Sequence, residues 1–250
     1  MNQEILGDCL EVMPTLENKS IDLILCDLPY GTTACKWDTI IPFEPLWKQY
    51  KRLIKDNGAI VLTASQPFTS ALVMSNIKMF KYELIWEKDS PTNPFMAKIQ
   101  IMRRHENVCV FYKEQPTFHP QMEKRKDENK RNNNPANFYM TETKGNAILQ
   151  RQNIGNNEET YPNSIQKFTR GSRGEHPTQK PVALFEYLIR TYTNEGDTVL
   201  DNCSGSGTTA IACINTNRDY ICIERDPEYY QIGTQRIREH LDKKANELQF

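Results

Sequence analysis

The stretch Thr198-Val-Leu-Asp-Asn-Cys-Ser-Gly-Ser-Gly-Thr-Thr209 decides the fold. Thr198 to Asp201 is a short apolar run that stops on a carboxylate, as a buried strand of a parallel sheet does. Gly205 and Gly207 follow, where missing side chains let the backbone approach a ligand. The pattern then turns helical through about Ile214. Arg218-Asp-Tyr-Ile-Cys-Ile-Glu224 is a second strand, again ending on an acid, and Pro227 opens a last helix. Strand, glycine turn, helix and strand make a βαβ unit. Glu224, seventeen residues past Gly207, is placed to accept hydrogen bonds from both hydroxyls of a ribose. An adenosine-containing ligand is implied. A dinucleotide is not required, because Ala210 stands where G-x-G-x-x-G would have its third glycine.

Outward from this unit the rhythm repeats. Phe185, Leu188, Ile189 and Tyr192 share one helical face just upstream. In the first half, Leu46, Trp47, Tyr50, Leu53 and Ile54 recur at helical spacing, Gly58 to Thr63 reads as a buried strand, and Pro67 opens a helix to about Ile77. Tyr82 to Trp86 and Val108 to Tyr112 read as further strands, separated by a long connector, Lys88 to Glu106, of the kind that forms lids or binding loops. The whole predicts a doubly wound, mostly parallel, Rossmann-like α/β sheet.

A second strand end carries chemistry. Ile21-Asp-Leu-Ile-Leu-Cys-Asp-Leu-Pro-Tyr-Gly31 is an apolar run that stops on Asp27, Pro29, Tyr30 and Gly31. Ligands of open α/β sheets bind at the carboxyl ends of strands. Pro29 biases Leu28 towards an extended conformation, which leaves a stiff tetrapeptide with one acceptor and one flat ring. On these residues alone Asp27 either binds a ligand or ties down a turn. Asp8, after Ile5-Leu-Gly7, likewise caps the next helix or touches a ligand.

Composition limits the classes. A chain of 250 residues buries one sizeable core, and no long apolar span or basic-then-apolar leader is present. Seven cysteines form no C-x-x-C pair, and the four histidines have no metal-ligand spacing. A soluble, cytoplasmic protein without a metal site is expected, with no membrane partner. The net charge of −1 gives no general affinity for nucleic acid, so any basic surface must be local. Gln115 to Gly174 supplies one: ten basic and six acidic side chains, many Asn, and Phe118, Phe138, Tyr139, Tyr161 and Phe168. Such side chains contact phosphates and base edges, although a polar surface insertion has a similar composition.

Together these motifs resemble the amino-methylating DNA methyltransferases that act on adenine N6 or cytosine N4. Asp27-Leu-Pro-Tyr-Gly31 is similar to their catalytic motif, Asp201-Asn-Cys-Ser-Gly-Ser-Gly207 to their cofactor loop, and His176-Pro-Thr-Gln-Lys-Pro181 to the segment before it. The order of motifs resembles the permuted β group, with Leu28 where the commoner motif has Pro. The resemblance implies S-adenosylmethionine as cofactor and double-stranded DNA as substrate. It also implies a catalytic half at 1–114, a target-recognition segment at 115–174 and a cofactor half at 175–250. Asp27, Leu28, Pro29 and Tyr30 would be catalytic. Asp201, Gly205 and Gly207 would line the methionine half of the cofactor, with Glu224 on the ribose, Asp8 near the adenine, and Thr178 and Lys180 near the carboxylate; Asp27, Cys203 and Thr208 would also bind the cofactor. Asp in the motif resembles adenine-N6 enzymes, whereas cytosine-N4 enzymes more often carry Ser. A homodimer and a cognate restriction endonuclease are the partners this family suggests.

Other readings use the same residues. A similar acceptor would serve a methyltransferase acting on RNA or on a protein glutamine, although a single-residue protein target would not need the long basic segment. A nucleoside-binding regulator would have no need of Asp27, Pro29 and Tyr30 together. A nicotinamide oxidoreductase is disfavoured by the missing third glycine.

Overall fold

The computed structural model describes residues 2–33, 38–92, 94–125, 158–169 and 179–247. The chain divides into one unit of Met1–His119 with Ser164–Phe250 and a second of Pro120–Asn163. In the first unit the strands are β1 (Gln3–Leu6), β2 (Ile21–Asp27), β3 (Ile54–Ala64), β4 (Phe80–Thr92), β5 (Arg103–Phe111), β8 (Ile165–Lys167), β9 (Thr198–Asp201) and β10 (Asp219–Glu224). Among the described residues they form one eight-stranded sheet in the order β1-β10-β9-β2-β3-β5-β4-β8. All neighbours are parallel except β5, which runs against both β3 and β4. The expected mostly parallel α/β sheet is found.

Helices α1 (Cys9–Val12), α2 (Phe43–Leu53), α3 (Phe68–Ser75), α4 (Val182–Tyr192), α5 (Thr208–Thr216) and α6 (Pro227–Glu247) complete the unit. Strand side chains alternate between faces, so β2 feeds two cores. Ile24 and Cys26 join Leu46 and Tyr50 of α2 and Phe68 of α3. Leu23 and Leu25 join Leu184 and Leu188 of α4 and Ala210 and Cys213 of α5. Burying each large aliphatic side chain contributes roughly 1.5–3 kcal/mol. Covering both faces is why β2 reads as an unbroken apolar run. It also places Asp27 and Asp201 at the carboxyl ends of adjacent strands, since Leu23 pairs with Val199 and Ile24 with Leu200.

The connector expected over Lys88 to Glu106 is largely strand. β4 continues to Thr92 and β5 begins at Arg103, with Glu87 opposite His105 and Thr92 opposite Arg103. Apolar alternation cannot reveal this extension, because its inward side chains include Lys88 and Glu106, which form an ion pair. The helix after Pro67 is also shorter than expected and stops at Ser75.

In the second unit, β6 (Glu123–Lys124) pairs antiparallel with β7 (Glu159–Thr160). Residues 126–157 and 170–178 of the expected recognition and pre-loop segments, Thr178 included, lie outside the described residues. Among the described residues no helix is long and apolar enough to cross a membrane.

Candidate active site

At the end of β2 the Asp27 carboxylate is surrounded by side chains from remote parts of the chain. The Tyr30 hydroxyl donates to Asp27 Oδ1 at 2.7 Å. The Thr63 hydroxyl, on neighbouring β3, donates to the same oxygen and lies 3.0 Å from the Tyr30 oxygen. Lys180 Nζ donates to Oδ2 at 2.7 Å and also reaches Glu106 Oε2 at 3.1 Å. Glu106 in turn pairs with Lys88. Two carboxylates and two ammoniums therefore alternate in one buried chain whose formal charges cancel. Burial alone would raise the Glu106 pKa, but the charges of Lys180 and Lys88 outweigh it and hold the carboxyl below its usual range. Burial likewise works against the Lys180 ammonium, while Asp27 and Glu106 more than compensate and raise its pKa. Tyr30 stays a neutral donor, because burial and the Asp27 charge push its pKa well up.

A carboxylate offers about four lone-pair directions. Tyr30 and Thr63 take two on Oδ1 and Lys180 takes one on Oδ2, which leaves Asp27 one acceptor direction. Its side chain is 30% exposed, towards the cavity described below. The Tyr30 ring stacks on Phe68, with centroids 5.3 Å apart, and Lys180 Nζ lies 5.4 Å from the ring centre. Beyond the motif, Asp38 clasps the chain: it accepts from the amides of Gly31, Thr32 and Thr33 at 2.8, 2.9 and 2.7 Å.

The second strand end is held differently. Buried Asp201 accepts from its own loop, from the Cys203 amide at 3.1 Å and from the Thr209 hydroxyl. Burial pushes its pKa up to about 6, against the pull of those hydrogen bonds. Glu224 accepts the Gly205 amide on one oxygen at 2.7 Å and the Asp226 amide on the other at 2.8 Å. Each oxygen keeps one further acceptor direction, which suits a vicinal diol. Gly205 has φ +51°, and a Cβ there would meet nothing within 4 Å, so the loop faces open space. The loop also rests on α6, where a Cβ at Gly233 would lie 2.9 Å from the Gly205 carbonyl.

One cavity of about 780 Å³ joins the two strand ends. Small-molecule sites fall in the range of roughly 300–1,000 Å³. Asp8, Asp27, Leu28, Pro29, Tyr30, Lys180, Asp201, Cys203, Gly205, Thr208 and Glu224 all line it. Gly207 does not; it opens α5 with φ +75°. Asp8 caps α1 through the Leu10 amide at 2.8 Å while lining the cavity, so its two sequence readings are compatible. Lys180, expected beside a cofactor carboxylate, has its ammonium on Asp27 and Glu106. Sequence reasoning missed Thr63, Lys88, Glu106, Asp38 and Gly233. An acid and a lysine inside an otherwise strand-like segment were the available signal for Glu106 and Lys88. Thr63 carried none.

Residues 21–235 match the family model of the N6/N4 methyltransferases, described as DNA methylase. The chain belongs to this DNA methylase family. The methylase is 26% identical to the type II methyltransferase M2.MboI of Moraxella bovis, over 97% of this chain and 89% of that one. It is 28% identical to the DNA adenine methyltransferase YhdJ of Escherichia coli K12, over 93% and 81%. Among solved structures, the cytosine-N4-specific PvuII DNA methyltransferase superposes with a TM-score of 0.66 at 17% identity, covering 98% of this chain and 93% of that one. The M1.HpyAVI complex with SAM superposes with a TM-score of 0.63 at 24% identity, over 94% and 100%. At these identities the structural matches establish the methylase fold alone.

Proposed function

We propose that this methylase transfers a methyl group from S-adenosylmethionine to the exocyclic N6 of an adenine flipped out of double-stranded DNA. One observation carries the reading: the Asp27 carboxylate and the Glu224–Gly205 cradle open into the same cavity. The cradle fits the cofactor, because Glu224 has two acceptors left for a ribose diol and no Cβ fills the space at Gly205. Asp201, Cys203 and Thr208 would hold its methionine half, and Asp8 its adenine. When bound, the cofactor supplies an electrophilic methyl group on sulfur.

The chain's own residues prepare the acceptor. An exocyclic amine is a poor nucleophile while its lone pair is delocalised into the ring. Asp27 accepts one N–H on its remaining lone pair and the Leu28 carbonyl accepts the other, which draws the nitrogen towards a tetrahedral shape. Leu28 serves here as well as Pro, since only its carbonyl is used. As the nitrogen becomes cationic, Asp27 stabilises the transition state more than the ground state. With Asp27 counted, the Asp27–Lys180–Glu106–Lys88 chain is neutral, so the pocket adds no net positive charge against the cationic nitrogen. Tyr30 offers its ring to the base.

Asp27 and the name of the Escherichia coli relative support adenine over cytosine. Because Asp27 precedes the 201–207 loop, we also infer the permuted β-group organisation, with DNA read by the 115–174 segment in the cytoplasm. The type II names among the relatives suggest a partner endonuclease, and a homodimer is the matching proposal for assembly. Labelled-methyl transfer to unmethylated duplex DNA, followed by methylation-sensitive sequencing, tests base and site together. Absence of transfer by folded, cofactor-binding protein would overturn the reading; label on cytosine would overturn its choice of base.

A further inference from the structure

The hairpin that joins β4 to β5 ends in an apolar tip that the reaction above leaves unused. All residues from Pro94 to Met102 are exposed, and five of them are large and apolar: Phe95, Met96, Ile99, Ile101 and Met102. Phe95 is 98% exposed, Ile101 96% and Ile99 77%. Contiguous apolar patches of this kind mark interaction surfaces on soluble proteins. Two observations identify the occupant. Pro94 to His105 contains Lys98, Arg103 and Arg104 and no acidic residue, in a chain whose net charge is −1. A polyanion is therefore favoured over a second copy of the chain. The tip also stands at the mouth of the active-site cavity, because Thr92 and Arg103, where the two strands last pair, both line it.

We propose that this tip is an apolar wedge that enters the DNA duplex and fills the stacking space left by the flipped adenine. Asp27 lies inside the cavity, so its target amine must leave the base stack, and the gap it leaves needs an apolar filler. Tyr30 cannot fill that gap, since its hydroxyl is tied to Asp27 and its ring to Phe68 within the cavity. Phe95 and Ile101 carry their side chains outside it. Lys98 between them supplies a phosphate contact that sets the depth of entry.

The inference rests on the proposed methyl transfer, and its test separates the two. Once the site has been found by sequencing, two duplexes are compared: one fully paired, one with the target adenine opposite an abasic position, so that it is already unpaired and costs less to flip. The double variant Phe95→Ser, Ile101→Ser should lose about tenfold or more in kcat/KM on the paired duplex. On the unpaired duplex it should stay within about twofold of wild type. The same polarity change at exposed Met74 and Ile77, which lie before β4 in sequence, should alter neither rate. Equal loss on both duplexes, or no loss on either, overturns the wedge. So does a change in oligomeric state of the double variant, which would assign the tip to a second copy. If wild-type protein methylates neither duplex, the methyl-transfer reading fails instead.

Discussion

The ends of β2 and of β9 with β10 present carboxylates to one cavity but are built by opposite means. Around Asp201 and Glu224 the donors are local: amides of Cys203, Gly205 and Asp226 and the hydroxyl of Thr209, all in the βαβ unit or the turn just after it. Around Asp27 two of the three donors are distant in sequence, Thr63 by 36 residues and Lys180 by 153. Backbone amides set by a glycine turn make a cradle whose donors all come from one stretch of chain, backed by α6. Side-chain donors from three elements make a site that exists only when the whole sheet is assembled. The first arrangement suits binding a cofactor; the second suits a group whose charge and lone pairs must be balanced against a reacting nitrogen.

Replacing Asp27 separates the two ends most sharply. Asp27→Ala should lower methyl transfer by about a thousandfold or more, because the acceptor for the amine and the counter-charge for its cation vanish together. Cofactor affinity, measured by calorimetry, should stay within a few-fold of wild type. Equal loss of both would make Asp27 a structural residue and the two ends one unit.

The buried charge chain gives the next largest effect, this time on stability. Lys180→Met leaves Asp27 and Glu106 facing each other with only Lys88 to compensate. Breaking a buried pair in this way costs roughly 3–5 kcal/mol. Urea unfolding at neutral pH measures it. The sign with pH is fixed by the shifts. Glu106 is held below its usual range, so its contribution is present above the ordinary carboxylate pKa and is lost as pH falls through its lowered value. Lys180 is held above its usual range, so its contribution is present below the ordinary lysine pKa and is lost as pH rises through its raised value. Wild type should thus lose stability on both flanks, and Glu106→Gln should remove the acid-side loss.

This contrast also explains what could be read from the sequence. The cofactor end was legible because its parts are contiguous: apolar run, acid, two glycines, helix, second acid. Asp27 and Tyr30 were legible as a stiff strand end, and the role proposed for them rests on reading that end beside the second motif. Thr63 was not legible, since a threonine at a strand end is ordinary and only the parallel register, which pairs it with Asp27, gives it a role. Glu106 and Lys88 were misplaced into a loop because strand periodicity records apolar faces and is blind to one closed by an ion pair. Lys180 was picked out for the cofactor, and its ammonium meets Asp27 only through a tertiary arrangement that no local pattern encodes.

At the cofactor end the titration of Asp201 should be visible in binding. Its ionised form attracts the cationic cofactor, and burial places its pKa at about 6. Cofactor affinity should therefore rise by up to about tenfold between pH 5 and 7 and then level off. Asp201→Asn should bind more weakly at pH 7 and show no such rise in calorimetric titrations across this range. A wild-type affinity that is flat with pH would remove Asp201 from the cofactor's surroundings.

The finest comparison uses two threonines. Thr63 and Thr209 each donate a hydroxyl to a strand-end carboxylate, Asp27 and Asp201 respectively. Valine keeps their branched shape and deletes the hydroxyl, so each variant removes one donor from one end with little change in volume. Thr63→Val leaves Asp27 Oδ1 to Tyr30 alone, which loosens the carboxylate that the amine must find. The expected result is a roughly tenfold or greater loss of kcat, the scale of one hydrogen bond to a charged group, with cofactor affinity unchanged. Thr209→Val removes a donor that lowers the Asp201 pKa, so the rise in cofactor affinity should move to higher pH while kcat at saturating cofactor holds. Crossed results, with Thr63→Val weakening cofactor and Thr209→Val slowing transfer, would mean that the two strand ends act as one electrostatic unit across β2 and β9. Their parallel pairing and the charge of Asp27 felt at Asp201 make that the specific alternative to exclude.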